Sequence, residues 1–285
     1  MTQQESWTTL KVLAWTREYL SGKGVENSRL ESEWMLCSAT GLDRVGLYMN
    51  YDRPLSDSEL GVFRSMVSRR AKREPLQHIL GSQEFCGFDF EVTSDVLIPR
   101  HDTEVLVDQA VILKPDAASV LDIGTGSGCV AVSLASRLPA ASITATDIST
   151  SALVVANRNF AKYCLNVEVL CGSLFEPVAG RSFDLIVSNP PYIPTLEISS
   201  LEPEVRDYDP LGALDGGSDG LVFYRKIIPD ALAHLNTGGW LLLEVGSGQA
   251  NDVMQLFKDT NGYNQFLTAN DPGGVERIVA AKRKE

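Results

Sequence analysis

The sequence predicts an α/β fold, a mostly parallel sheet covered by helices on both faces, preceded by a small helical domain. Three observations carry this reading. From about residue 103, short apolar runs of strand length recur at regular intervals. Helical periodicity fills the gaps between most of them. The first 75 residues lack such runs and read as helical instead.

In the N-terminal part, Leu10, Leu13, Ala14 and Arg17 follow helical spacing, as do Leu30, Trp34 and Cys37, with Gly22, Gly24 and Gly41 as punctuation. Ser56-Asp57-Ser58-Glu59 opens another helix carrying Leu60, Phe63, Met66 and Val67, which Pro75 stops. Its basic end, Arg69 to Arg73, reads as a solvated terminus complementing the helix dipole rather than a nucleic-acid patch. Residues 79–98 alternate apolar and polar side chains around Gly87, which predicts a strand pair bridging two domains. Strands are then expected at 119–123, 142–146, 167–170, 183–187 and 240–245, with two more near 264–269 and 275–281. Helices are expected at 128–137, 150–162 and 220–235, and after 245. The domains expected are 1–78 (helical), 79–100 (a β-hairpin linker) and 101–285 (α/β).

Composition narrows the function. The polar N-terminus has neither the basic nor the apolar region of a secretory signal, and no apolar run approaches the roughly 20 residues of a membrane helix. A cytoplasmic protein, without membrane partners, is expected. The five cysteines form no Cys-x-x-Cys pair, and only three histidines could join them, so free thiols and no metal site are expected. Residues 1–85 carry 11 basic and 11 acidic side chains, so the net charge of −12 falls wholly on the remainder. A domain that acidic suits a phosphate backbone poorly, and no direct nucleic-acid partner is expected. The acidity, and the lack of an exposed coiled-coil pattern, favour a monomer.

Ligands of parallel sheets sit beyond the C-terminal strand ends. The first of these ends in Gly124-Thr125-Gly126-Ser127-Gly128. Its glycines permit a sharp turn and close approach of a ligand. Cys129 stands where a dinucleotide fingerprint has glycine or alanine, which disfavours a pyrophosphate and a dehydrogenase. The turn suits S-adenosyl-L-methionine, whose carboxylate and ammonium can lie against it. Asp147 ends the next strand, where it can accept from both ribose hydroxyls or cap the following helix. Asp122, inside its strand, is expected to bond the glycine turn or the cofactor ammonium. Ser173 and Leu174 should flank the adenine, though Leu174 could equally be core.

The fourth strand runs into Ser188-Asn189-Pro190-Pro191-Tyr192. An amide nitrogen is a poor nucleophile because its lone pair is delocalised, so methyl transfer requires that lone pair to be aimed at the methyl carbon. The Asn189 side-chain oxygen and the Pro190 carbonyl are two acceptors that can grip both N–H hydrogens. The prolines lack N–H groups and fix the backbone, and Tyr192 can wall the substrate plane. Asn189, Pro190 and Tyr192 are thus the candidate catalytic groups, with Pro191 beside them and Asn189 also at the cofactor. Residues 193–219 form an aperiodic connection, read as a lid or as a plain structural excursion.

Across nearly its whole length the chain resembles the HemK family, the peptide chain release factor glutamine N5-methyltransferases. The resemblance rests on Glu74 to Gly81 with Glu84-Phe85, on Val96 to Glu104, the glycine turn, Ser188 to Ile193, Ala213 to Leu221 and Leu243 to Gly246. It implies a seven-stranded, Rossmann-like class I methyltransferase sheet and an N-terminal bundle that recognises the release factor. The target would be the glutamine of a Gly-Gly-Gln motif, with S-adenosyl-L-homocysteine as product. Gly124 to Gly128 and Asp147 would bind cofactor, and Asn189 to Tyr192 the glutamine amide. His101 departs from the family's usual proline, and Ser173 from its common acid. The alternatives are N6-adenine methylation of DNA or RNA, which uses the same tetrapeptide on a flipped base, and a cofactor-binding subunit without catalysis. Acidity weighs against the first, and the intact glycine turn with Asn189 against the second.

Overall fold

The computed structural model describes residues 7–285, so the polar stretch at residues 1–6 lies outside it. The chain divides into two compact units, one of residues 1–81 with 202–208 and one of 82–201 with 209–285.

The helical unit contains α1 (Thr9–Ser21), α2 (Ser28–Thr40), α3 (Arg44–Met49), α4 (Asp57–Arg70) and α5 (Leu76–Leu80). The α4 start is a capping box: the Ser56 side chain accepts from the Glu59 amide while Glu59 accepts from that of Ser56. The buried faces of the first two helices differ from those the periodicity suggested. Val12, Thr16 and Leu20 are buried in α1 while Leu10 is exposed; Met35 and Leu36 are buried in α2 while Trp34 is exposed. Several stripes one residue apart satisfy helical spacing, and only packing selects among them.

The second unit opens with the hairpin β1 (Ser82–Phe85) and β2 (Phe88–Glu91), closed by Cys86 and Gly87 at φ 49° and 79°. Two left-handed central residues suit the twist of a tight hairpin. Phe85 and Phe90 are fully buried in the core of this unit, so the hairpin read as an inter-domain bridge packs against the sheet. After α6 (Glu104–Leu113) come β3 (Ser119–Ile123), α7 (Cys129–Arg137), β4 (Ser142–Asp147), α8 (Thr150–Lys162), β5 (Val167–Cys171) and β6 (Phe183–Ser188). The remainder supplies α9 (Pro203–Arg206), α10 (Val222–His234), β7 (Leu235–Glu244), α11 (Ala250–Asp259), β8 (Tyr263–Asn270) and β9 (Glu276–Arg283). The seven-stranded sheet runs β5-β4-β3-β6-β7-β9-β8, with β9 antiparallel to both neighbours and the rest parallel. Alternate strand residues serve two cores. Val120, Leu185 and Leu242 join α6, α7 and α8 on one face, and Leu121, Ile186 and Leu241 join α10 and α11 on the other. Strand order reverses between β3 and β6, the point at which a crevice opens beyond the strand ends.

The basic run after α4 is not a solvated terminus. Arg70 is buried within the helical unit and donates to Glu31 and, at 2.8 Å, to Glu204. Arg73 donates to Glu204 at 2.6 Å and Glu202 at 3.2 Å, and Arg69 to Glu74 at 2.5 Å. These acceptors include residues of the long 193–219 connection, whose middle therefore belongs to the helical unit rather than forming a free loop. Its ends are also ordered: Ile193 bridges to Asp215, and the Thr195 amide donates to the Gly217 carbonyl at 2.9 Å.

Candidate active site

Beyond the C-terminal ends of β3, β4 and β6 lies a cavity of about 570 Å³. The glycine turn forms its floor. Gly124, Gly126 and Gly128 have φ of 72°, 55° and 81°, conformations that favour glycine. A Cβ on Gly124 or Gly126 would meet nothing within 4 Å, so these glycines leave open space for a ligand. A Cβ on Gly128 would sit 2.7 Å from the Phe160 ring, so this glycine instead lets α8 pack closely. The turn is held at both sides. The Gly124 and Thr125 amides donate to the Thr146 carbonyl at 2.8 and 3.0 Å, and the Ser127 carbonyl accepts from buried Asn159 at 2.9 Å. Asn159 also exchanges two hydrogen bonds with the Glu91 backbone, tying turn to hairpin.

Both expected carboxylates are present. Asp147 Oδ2 accepts from the Gly126 amide and Oδ1 from the Ser149 amide, each at 2.9 Å. The helix cap itself is the Ser149 side chain. A carboxylate has about four acceptor sites, so Asp147 retains capacity toward the cavity it lines. Asp122 is buried and accepts from the Thr125 hydroxyl at 2.6 Å; burial and the neighbouring Asp147 charge push its pKa up to about 7. Ser173 and Leu174 line the cavity, and Leu174 holds φ 48°, a costly conformation for a side chain of its size. Exposed Ile148 lines the same cavity and was not singled out in the sequence.

The other end of the cavity is made by Asn189, Pro190 and Pro191. Asn189 Nδ2 donates to Thr103 Oγ1 at 3.2 Å, which leaves Oδ1 as its free acceptor. Tyr192 is partly buried, packed against the core that contains α10 and α11. Its carbonyl accepts from Gln249 at 2.9 Å, and a Cβ on Gly216 or Gly220 would strike its backbone. Burial, then the nearby Glu244 carboxylate, pushes its phenol up to about 12. These backbone contacts brace the strand exit. Pro99, Arg100 and Thr103 complete the wall, with Arg100 paired to buried Asp209 at 3.1 Å. His101 is exposed beside Glu104 at 3.2 Å.

Sequence reading did not single out Thr103 or Asn159, whose partners Asn189, Ser127 and Glu91 are remote in sequence. Among the described residues there is no cluster fit for a metal and no helix long and apolar enough to cross a membrane. All five cysteines are free.

A seven-stranded sheet of this order, with a glycine turn and an Asn-Pro-Pro-Tyr end opening into one cavity, defines a class I methyltransferase. Residues 11–81 match the family described as the PrmC N-terminal domain, and residues 100–200 the methyltransferase small domain. The chain is 58% identical over 278 residues to a release factor glutamine methyltransferase of Geobacter sulfurreducens, covering 98% of each. It is 43% identical to the protein of that name in Moorella thermoacetica, covering 93% of this chain and 95% of that one. A methyltransferase structure from Pyrococcus furiosus superposes with a TM-score of 0.51 at 21% identity over 76% of this chain and 99% of the other, a likeness of fold. The chain belongs to the release factor glutamine methyltransferase family.

Proposed function

We propose that this protein methylates the side-chain amide nitrogen of the glutamine in the Gly-Gly-Gln motif of peptide chain release factors, using S-adenosyl-L-methionine. The observation that carries the reading is the fixed Asn189 amide, with Oδ1 free, at one end of a cavity whose other end is a glycine turn beside a carboxylate. The residues fit the cofactor: Gly124 and Gly126 leave room against the backbone, Asp147 retains acceptor capacity for ribose hydroxyls, and Ile148 and Leu174 offer apolar walls. When bound, the cofactor supplies an electrophilic methyl group on a sulfonium.

The chain supplies orientation. Asn189 Oδ1 and the Pro190 carbonyl accept the two amide N–H bonds, which holds the nitrogen plane and aims its lone pair. Ordered acceptors in a secluded site do this without reorganisation at the moment of transfer. No strong general base is needed, since the nitrogen becomes acidic once it carries positive charge. A translation factor as substrate places the reaction in the cytoplasm. Adenine methylation gains no support: the Arg100 guanidinium at the cavity is already paired with Asp209.

The test is tandem mass spectrometry of a release factor incubated with the protein and S-adenosyl-L-methionine. One added methyl on the Gly-Gly-Gln glutamine is expected, and none with Asn189→Ala. Transfer to another residue, or none by a protein that binds cofactor, would refute the reading.

A further inference from the structure

An asparagine amide carries a donor and an acceptor on one planar group, and only one of its two flips can grip an N–H. Something must select that flip at Asn189. Its Nδ2 donates to Thr103 Oγ1 at 3.2 Å, and Thr103, in the cavity wall, is only 3% exposed, so few alternative partners reach the hydroxyl. A hydroxyl that accepts from Asn189 must send its own proton elsewhere. Glu244 is 1% exposed and ends β7. The register Ser188↔Leu243 brings the next residues, Asn189 and Glu244, to adjoining strand ends. The Glu244 Oε2 is buried without a hydrogen-bond partner, an open acceptor at that strand end, and the Thr103 hydroxyl and the Asn189 amide counter the burial that raises its pKa. Its backbone is pinned as well, since the Tyr224 hydroxyl donates to the Glu244 carbonyl at 2.8 Å. With an unprotonated Glu244 Oε2 as the acceptor, polarity would run one way, from Asn189 N–H to Thr103 and from Thr103 O–H to Glu244. Without that acceptor, the threonine proton could turn to Asn189 Oδ1 and stabilise the opposite flip.

We propose that Thr103 and Glu244 are positioning residues that fix the flip of the Asn189 amide, so that Oδ1 rather than Nδ2 meets the acceptor nitrogen. The inference rests on the glutamine-amide reading above. Neither residue needs to touch substrate. Each acts by setting which atom of Asn189 does.

The experiment measures kcat and KM on a release factor for the full-length wild type, Thr103→Val, Thr103→Ser, Glu244→Gln and the Thr103→Val/Glu244→Gln double variant. Cofactor Kd and Tm are followed for each. Thr103→Val keeps the shape and removes the hydroxyl; its kcat is expected to fall on the order of 10- to 100-fold, with cofactor Kd within about twofold. Thr103→Ser should restore most of the rate. Glu244→Gln should lose roughly tenfold alone and clearly less than that in the Thr103→Val background, because residues acting on one group are not additive. Wild-type kcat in Thr103→Val, or losses that multiply in the double variant, would overturn the proposal. If Thr103→Val does not fold, Thr103→Ala replaces it under the same criteria. No transfer by the wild type would remove the glutamine-amide reading, and this inference with it.

Discussion

The two ends of the cavity are built by different means. The proposed cofactor end is chiefly backbone, a turn with three glycines at positive φ, tied to β4 by the Gly124 and Thr125 amides and to α8 by the Ser127 carbonyl. The amide end is side chain, and Asn189 takes its orientation from Thr103, 86 residues away. A backbone site is written in a short stretch of sequence and tolerates change only where no Cβ intrudes. A side-chain site depends on tertiary contacts, so its specificity can be lost while the fold and cofactor binding survive.

The sharpest way to break this contrast is Asn189→Asp, which keeps the shape but loses the Nδ2 donor and adds charge. Its kcat should fall on the order of 100- to 1,000-fold while cofactor Kd shifts less than about threefold, read by kinetics and calorimetry. Gly126→Ala should do the reverse. The new Cβ at φ 55° points into space needed by the ligand, so cofactor Kd should weaken roughly 30-fold, with kcat at saturation within a few-fold.

A smaller effect, of pH, is shared by the two ends. Asp122 and Glu244 are both pushed up to about 7, first by burial, from ordinary carboxylate values. The contribution of each to stability is fully present below its unfolded pKa and is lost as pH rises through about 7. Asp122→Asn and Glu244→Gln should therefore gain Tm relative to wild type as pH climbs from 4.5 to 7.5. The gain should be about 1–3 kcal/mol per group, checked by thermal scans without cofactor. A difference that stays flat with pH would show that these carboxylates ionise freely. The smallest effect concerns Leu174. Leu174→Gly relieves φ 48° but removes an apolar wall, so Tm should hold or rise while cofactor Kd weakens about 3- to 10-fold.

Much of the sheet was legible because buried parallel strands are continuous apolar runs, and 119–123 and 183–188 stand out as such. The glycine turn and Asn189 were legible because they follow those runs directly. The helix α6 escaped notice because EVLVDQAVIL is nearly apolar all round and gives no clear period. Glu244 looked like the polar end of a strand. Its meaning depends on the register between β6 and β7, which a single sequence does not display. The basic run misled for a related reason, since the carboxylates that bury Arg70 are Glu31 of α2 and the remote Glu204.

The central claim is that the amide end of the cavity selects a glutamine side chain. It is tested most directly by offering the wild-type protein a release factor in which the Gly-Gly-Gln glutamine is replaced by glutamate, beside the unaltered factor, and locating methyl groups by mass spectrometry. Transfer to the unaltered factor alone is the predicted result. Equal methylation of both factors would mean that the acceptor is some other group, and that Asn189 does not grip a glutamine amide.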